Sequence, residues 1–230
     1  MIARHLTLVA LVTALGARGA SAQTAGATSG APIQATIDVS RTAPPISPYL
    51  YGMFIEHIGG LIERGMWAEM LDDRKFFNPV TSRPPAQPQG RRAPTQRWLP
   101  IGPDASVHMD SAAAYPGAWA PRVTLAGASE RGIAQSGLAL RAGKAYTGRV
   151  VIAGDPGAAV VARLVWGSAP GERQTVRLAL TNRYATLALR FTSGASTDSG
   201  RLEIAGAGSG SYRVGAVSLM PADNVEGFRP

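Results

Sequence analysis

The 230-residue chain contains no cysteine. That excludes a disulfide scaffold, a zinc–thiolate site, an iron–sulfur cluster and a cysteine nucleophile at once. Histidine is nearly absent too: His5, His57 and His108 are the whole supply, too few and too scattered for a histidine metal site. Lysine is limited to Lys75 and Lys144, so arginine carries almost all the positive charge. Catalytic signatures are missing as well. There is no Gly-x-Ser-x-Gly elbow, Walker loop, His-Glu-x-x-His helix or EF-hand spacing. Gly206-Ala-Gly-Ser-Gly210 precedes a strand-like run rather than a helix, so it lacks the amide-lined helix start that cradles phosphate. No cofactor and no metal are expected.

Hydrophobic residues make up 45% of the chain, enough to build a core. With 27 glycines and 17 prolines, the composition favours turns and short strands over long helices. The formal net charge is +8, which raises nucleic acid as a partner. The arginines are dispersed, however, with one Arg-Arg pair at Arg91-Arg92 and no aromatic interleaving. A phosphate-tracking groove needs both, so no nucleic-acid partner is expected.

Residues 1–22 read as a signal peptide: Arg4, then the apolar run Leu6 to Leu15, then Ala20-Ser21-Ala22 as a small-x-small cleavage site. The run is too short to span a bilayer of roughly 30 Å. Secretion or a periplasmic location follows, with no membrane contact after cleavage; an uncleaved anchor is the alternative. Residues 23–32, rich in Ala, Thr, Ser and Gly, form a spacer. From Ile33 the sequence alternates apolar and polar as a half-buried strand does. Tyr49 to Ile58 is apolar on both alternating faces, as in a strand covered on both sides. Leu61 to Phe77 suits either a short helix or an ordered loop. Residues 33–80 are therefore assigned to one region, and the Pro- and Arg-rich residues 81–97 to a linker.

Residues 98–220 have a different texture. Short strand-like runs are expected at Val107–Asp110, Trp119–Leu125, Ile133–Leu140, Ala145–Ala153, Val160–Trp166, Thr175–Leu180, Ala185–Thr192, Arg201–Ala205 and Ser211–Leu219. This spacing predicts an antiparallel β-sandwich of about eight strands, a jelly roll or a similar galactose-binding-like fold. In residues 221–230, Asp223 and Glu226 have the spacing of a helix N-cap and its reciprocal partner. The fold class is thus mainly β, with the sandwich set after a double-covered strand.

Three side chains stand out for chemistry. Glu56, beside His57 at the end of the double-covered strand, could hold sugar hydroxyls or be a paired structural acid. Tyr115 and Trp119 flank the turn Pro116-Gly117 and suit an exposed sugar-stacking platform, whereas Tyr146 and Trp166 suit the core. Glu63, Glu69, Asp72 and Asp73, interspersed with Arg64, Arg74 and Lys75, read as a solvated, ion-paired face.

The run Ile46-Ser-Pro-Tyr-Leu-Tyr-Gly-Met-Phe-Ile-Glu-His-Ile-Gly-Gly60 resembles the first barrel strand of the α-L-arabinofuranosidases of glycoside hydrolase family fifty-one. Gly65-Met-Trp-Ala-Glu-Met-Leu-Asp-Asp-Arg-Lys-Phe-Phe77 is similar to members that carry an inserted carbohydrate-binding-like sandwich. Gly148-Arg-Val-Val-Ile-Ala-Gly-Asp-Pro156, Arg163-Leu-Val-Trp-Gly167 and Val217-Ser-Leu-Met-Pro-Ala-Asp-Asn-Val-Glu-Gly-Phe-Arg-Pro230 match the same subgroup. The resemblance spans about Ile33 to Pro230. It implies a sandwich inserted after the first strand of a (β/α)8 barrel that is incomplete here, with 221–230 starting the first barrel helix. It also implies a substrate-binding role for Glu56. The implied activity is retaining hydrolysis of terminal α-L-arabinofuranosyl residues in arabinoxylan or arabinan. The family's two catalytic glutamates lie on later strands, beyond Pro230, so no catalytic residue is expected in this chain. The alternative is a non-catalytic carbohydrate-binding β-sandwich protein.

Overall fold

The computed structural model describes residues 65–83 and 97–230, together with 37, 38, 40, 42, 44–47 and 50. The chain divides into two units, Met1–Gly52 and Met53–Pro230. In the first, the Asp38 carboxylate accepts the Ser40 amide at 3.0 Å and its hydroxyl at 2.6 Å, a local turn. Most of the strand expected from Ile33, and Glu56 with residues 51–64, lie outside the described residues.

The described residues of the second unit form ten strands. In chain order they are β1 (Trp98–Ile101), β2 (Val107–Asp110), β3 (Ala120–Thr124), β4 (Gly127–Leu140), β5 (Ala145–Gly154), β6 (Ala158–Val165), β7 (Arg173–Leu178), β8 (Ala185–Thr192), β9 (Thr197–Gly208) and β10 (Ser211–Pro221). They form two five-stranded antiparallel sheets ordered β1-β4-β9-β6-β7 and β2-β3-β10-β5-β8. Alternation dictates the layering. Along β6, Val160, Ala162 and Leu164 face inward; along β5, Tyr146, Val150 and Ile152 do. These inner faces meet in one core with Ile133, Leu202, Ile204, Tyr212, Val214 and Leu219. Such aligned sheets bury one face each and leave the other wet, which makes a β-sandwich.

Gly132 is required by the strand pairing: a Cβ there would fall on the backbone of Ile204 and 2.7 Å from the Ala205 Cα. Inside the core the Tyr212 hydroxyl donates to the carbonyls of Ile204 (2.9 Å) and Arg131 (3.1 Å), and burial drives its pKa far above the ordinary value.

From Trp67 to Arg83 no helix forms, so this stretch is the ordered loop. Its backbone groups are claimed by the sandwich: the Val217 amide donates to the Arg74 carbonyl at 3.0 Å and the Met70 amide to the Leu219 carbonyl at 2.9 Å. The buried Gln135 amide imitates a neighbouring strand, accepting the Asp72 N–H and donating to the Asp72 carbonyl, each at 2.8 Å. Leu71, Phe76 and Val80 then close one end of the core, Phe76 lying 5.4 Å from Trp98.

The expected helix start at Asp223 is not formed. Glu226 and Gly227 both take left-handed backbone angles (φ 52° and 90°), which a right-handed helix cannot contain. Asn224, rather than Asp223, organises the turn by accepting the Gly227 amide at 2.9 Å, while Asp223 pairs with Lys144 at 3.0 Å.

Candidate functional site

The outward face of the second sheet is built around a returning loop. On β2 and β3, Asp110, Ala120 and Arg122 point outward, opposite to Met109, Pro121 and Val123. On β5 and β10 the outward set includes Val151, Ala153 and Arg213. Three of these outward residues are nevertheless buried: Ala120 at 0%, Val151 at 5% and Ala153 at 1%. The cover is the connection from β2 to β3, residues 111–119, folded back across the sheet.

Three contacts fix that loop. Tyr115 lies directly on Gly215 of β10, where any Cβ would collide with the Cβ of Tyr115 and reach 3.1 Å from the Tyr184 ring. Tyr184, just before β8, meets Tyr115 with ring centroids 5.3 Å apart and planes tilted by 54°. Its hydroxyl donates to the Ala113 carbonyl at 2.7 Å, tying both ends of the aromatic pair to the loop. Desolvation raises the Tyr184 pKa, keeping that hydroxyl a donor. Beside it, Arg213 Nε donates to Asp110 Oδ2 at 3.2 Å, bridging over β3. Burial opposes the Asp110 charge, but the Ala112 and Ala113 amides and the Arg213 guanidinium together hold its pKa below the usual carboxylate value.

Tyr115 and Trp119 remain 52% and 43% exposed. The loop therefore presents two large aromatic side chains to solvent on a scaffold whose conformation is already set. Tyr146, by contrast, is a core residue at 2% exposure, with its hydroxyl accepting the Arg141 amide at 2.9 Å. Trp166 is partly buried and packs on Gly194. The contribution of Tyr184 was missed in the sequence because it sits one residue before a strand whose pattern drew attention inward.

A cleft of about 600 Å³ opens at the end of the sandwich where Trp67, Asp73, Arg74, Lys144, Asp223 and Arg229 gather. Asp73, Arg74, Lys144, Asp223 and Arg229 already have protein partners there, Lys144 pairing with Asp223 at 3.0 Å and Arg229 Nε donating to the Trp67 carbonyl at 3.1 Å. Asp73 caps the Phe77 and Asn78 amides at 2.6 and 2.9 Å, and the Arg74 guanidinium lies 5.5 Å from the Trp67 ring centre. Glu69 corrects the expectation of a solvated acidic face. Its carboxylate accepts the Leu219 amide (2.9 Å), the Ser218 hydroxyl (2.7 Å) and Arg74 Nη1 (3.2 Å), with only 7% of the side chain exposed. Among the described residues no three His, Asp or Glu side chains converge on a common point that could hold a metal.

No protein-family model matches the sequence, and no curated protein does. Solved structures of similar shape include the family 61 carbohydrate-binding module TmCBM61 in complex with β-1,4-galactotriose, at 15% identity and a TM-score of 0.42, covering 54% of this chain and 88% of that one. The CBM22-1 xylan-binding domain of Paenibacillus barcinonensis Xyn10C aligns at 13% identity and a TM-score of 0.44, covering 56% and 87%. The N-terminal cellulose-binding domain of Cellulomonas fimi β-1,4-glucanase C aligns at 20% identity and a TM-score of 0.41, covering 56% and 90%.

Proposed function

We propose that the sandwich is a carbohydrate-binding module and that the Tyr115 loop is its ligand surface. The observation that carries this reading is the half-exposed Tyr115 ring, immobilised between Gly215 and Tyr184 before any ligand arrives. Sugar rings have apolar C–H faces that stack on flat aromatics, and a platform that is already ordered loses little conformational entropy on binding. Arg213, Asp110 and Arg122 supply hydrogen-bonding groups on the same face for the sugar hydroxyls. Affinity electrophoresis through arabinoxylan, with the 230-residue chain and its Tyr115→Ala and Trp119→Ala variants, tests it. Retardation of the parent and about tenfold weaker binding by Tyr115→Ala are expected, as for a central aromatic anchor. Unretarded migration of the parent, or variants indistinguishable from it, would overturn the assignment.

A second reading concerns the chain that carries the module. The motifs around Glu56 and Gly65–Phe77 resemble α-L-arabinofuranosidases, and the segments leading into and out of the sandwich run side by side. Ala68 N donates to the Gly227 carbonyl at 2.8 Å, Arg229 N donates to the Met66 carbonyl at 2.8 Å, and Trp67 bridges Phe228. An inserted domain needs that arrangement. In this reading the module belongs to a secreted arabinofuranosidase, Glu56 contributes to its sugar pocket, and the present chain lacks the catalytic pair. Release of nitrophenol from an α-L-arabinofuranoside by the purified chain would refute the last point.

A further inference from the structure

The outward face of the first sheet collects arginines from three adjacent strands. Arg201 on β9, Arg163 on β6, and Arg173 and Arg177 on β7 all point away from the core, because their neighbours Leu202, Leu164, Val176 and Leu178 point into it. Two carboxylates lie among them. Glu203 stands opposite Arg163 across the β9–β6 pair, 3.5 Å away, and binds Arg201 at 2.6 Å. Glu130 reaches Arg163 from the bulge that interrupts β4 between Gly127 and Arg131. Since β9 lies between β4 and β6, this reach crosses above Ala205, which is why Ala205 is outward yet wholly buried. Arg163 and Glu203 keep only 15% and 9% of their side chains exposed, so the cluster is a fixed part of the surface.

Four guanidiniums face two carboxylates, and the excess lies on β7. Arg173 has its Nε buried without an acceptor, and its Nη2 reaches only a 3.5 Å contact with the Ala169 carbonyl. The nearby Glu172 carboxylate is turned to the Ala169 amide at 2.8 Å. Arg177 is exposed. Hydrogen bonding from Arg163, against the cost of burial, holds Glu130 below its usual pKa, and Arg173 adds to this, which places Arg173 in the same field. Arg173 and Arg177 are about 13 Å apart along one strand, above a shallow floor of Ala159, Val161 and Thr175. Arg177 is exposed and Arg173 half-buried on an open strand face, so a small anion would be held on one side only, whereas an extended polyanion would meet several guanidiniums in turn. Guanidinium forks match carboxylates bidentately. The face presents no exposed aromatic side chain among the described residues, so it offers bases nothing to stack on and does not favour nucleic acid.

We propose that this arginine face binds acidic polysaccharide through uronate carboxylates. The inference takes from the preceding section only that the sandwich binds glycans, and the two surfaces lie on opposite sheets, so they fail independently. The test is affinity electrophoresis of the full chain in gels containing polygalacturonate, at about 0.15 M salt to suppress long-range attraction. The double variant Arg173→Gln/Arg177→Gln removes the unpaired cations. Arg149→Gln/Arg190→Gln removes the same charge from the exposed face of the other sheet. The first should weaken retardation about tenfold and the second less than twofold, two charge-assisted contacts being lost in one case and only diffuse charge in the other. Arabinoxylan binding should be unchanged in Arg173→Gln/Arg177→Gln. If that variant does not fold, Arg177→Gln alone, at an exposed position, carries the comparison. No retardation by polygalacturonate, equal losses in the two double variants, or equal retardation by polyglutamate would overturn the proposal. Loss of arabinoxylan binding alone would overturn the Tyr115 surface and leave this one standing.

Discussion

Replacing Glu69 should unfasten the 65–83 loop from the sandwich and cost more stability than any other single carboxylate described. Its side chain joins three groups outside its own turn: the Leu219 amide, the Ser218 hydroxyl and the Arg74 guanidinium. With Glu69→Ala, the amide and the hydroxyl lose their acceptor next to a strand edge that water reaches poorly, at about 1–3 kcal/mol for each orphaned group. Arg74, at 28% exposure, can turn to solvent and adds little. Allowing for non-additivity within one network, the loss should be about 3–4 kcal/mol. For a domain of this size that lowers Tm by about 6–16 °C. Glu69→Gln keeps one acceptor and should lose about half as much. Urea unfolding followed by tryptophan fluorescence measures both, because Trp67 and Trp98 lie in and beside the loop. A loss below about 1 kcal/mol for Glu69→Ala would show that the loop is held by Phe76 and Leu71 packing alone and that the carboxylate network is incidental.

Two other outcomes follow from geometry already described. Gly215→Ala should displace Tyr115 while leaving the core intact, weakening arabinoxylan retardation severalfold with a Tm change under a few degrees; unchanged binding would mean that Tyr115 is not held by that contact. Tyr212 is buried and neutral with a pKa raised above its ordinary 10.0. The stability it contributes is complete below pH 10.0, where both states are protonated, and falls as pH rises beyond that, because only the unfolded chain then loses the proton. Tyr212→Phe should be less stable at pH 7, lacking the bonds to Ile204 and Arg131, but should show a shallower decline in urea midpoint above pH 10.0; parallel profiles would refute this.

Alternation made most strands legible. Val107–Asp110 and Ala185–Thr192 agree with the expectation residue for residue, since each keeps a strict inward and outward sequence. β1 was hidden because Pro100 sits inside it, which an edge strand tolerates and a pattern search penalises. The first residues of β4 were hidden by Ala-Ser-Glu, whose polarity reflects a bulge raised over the sheet rather than a turn. The exposure of Tyr115 and Trp119 could be expected from the Pro116-Gly117 turn. The partnership of Tyr115 with Tyr184 could not, because the two lie 69 positions apart and become neighbours only once β2, β3, β10, β5 and β8 pair into one sheet. Glu69 was misread for the same reason: a run of mixed charges has the composition of a wet face, while its actual partner is a strand edge 150 positions away. The arginine face is likewise invisible in the sequence, where its four members are spread over β6, β7 and β9 and become one patch by antiparallel pairing.

The hydrogen-bonded ladder between Met66–Ala68 and Gly227–Arg229 makes the whole sandwich, topologically, one long hairpin loop. To any polypeptide that hosted it, the module would look like a two-strand stem of a few ångströms' width. The closure entropy of some 150 residues would be met inside the module's own core rather than by the host. Such a stem can be grafted into a surface turn, or shed from one, without re-routing the strands on either side. It also transmits orientation: Trp67 and Phe228, paired across the stem, would set the angle at which both sheets are held out from whatever lies beneath them.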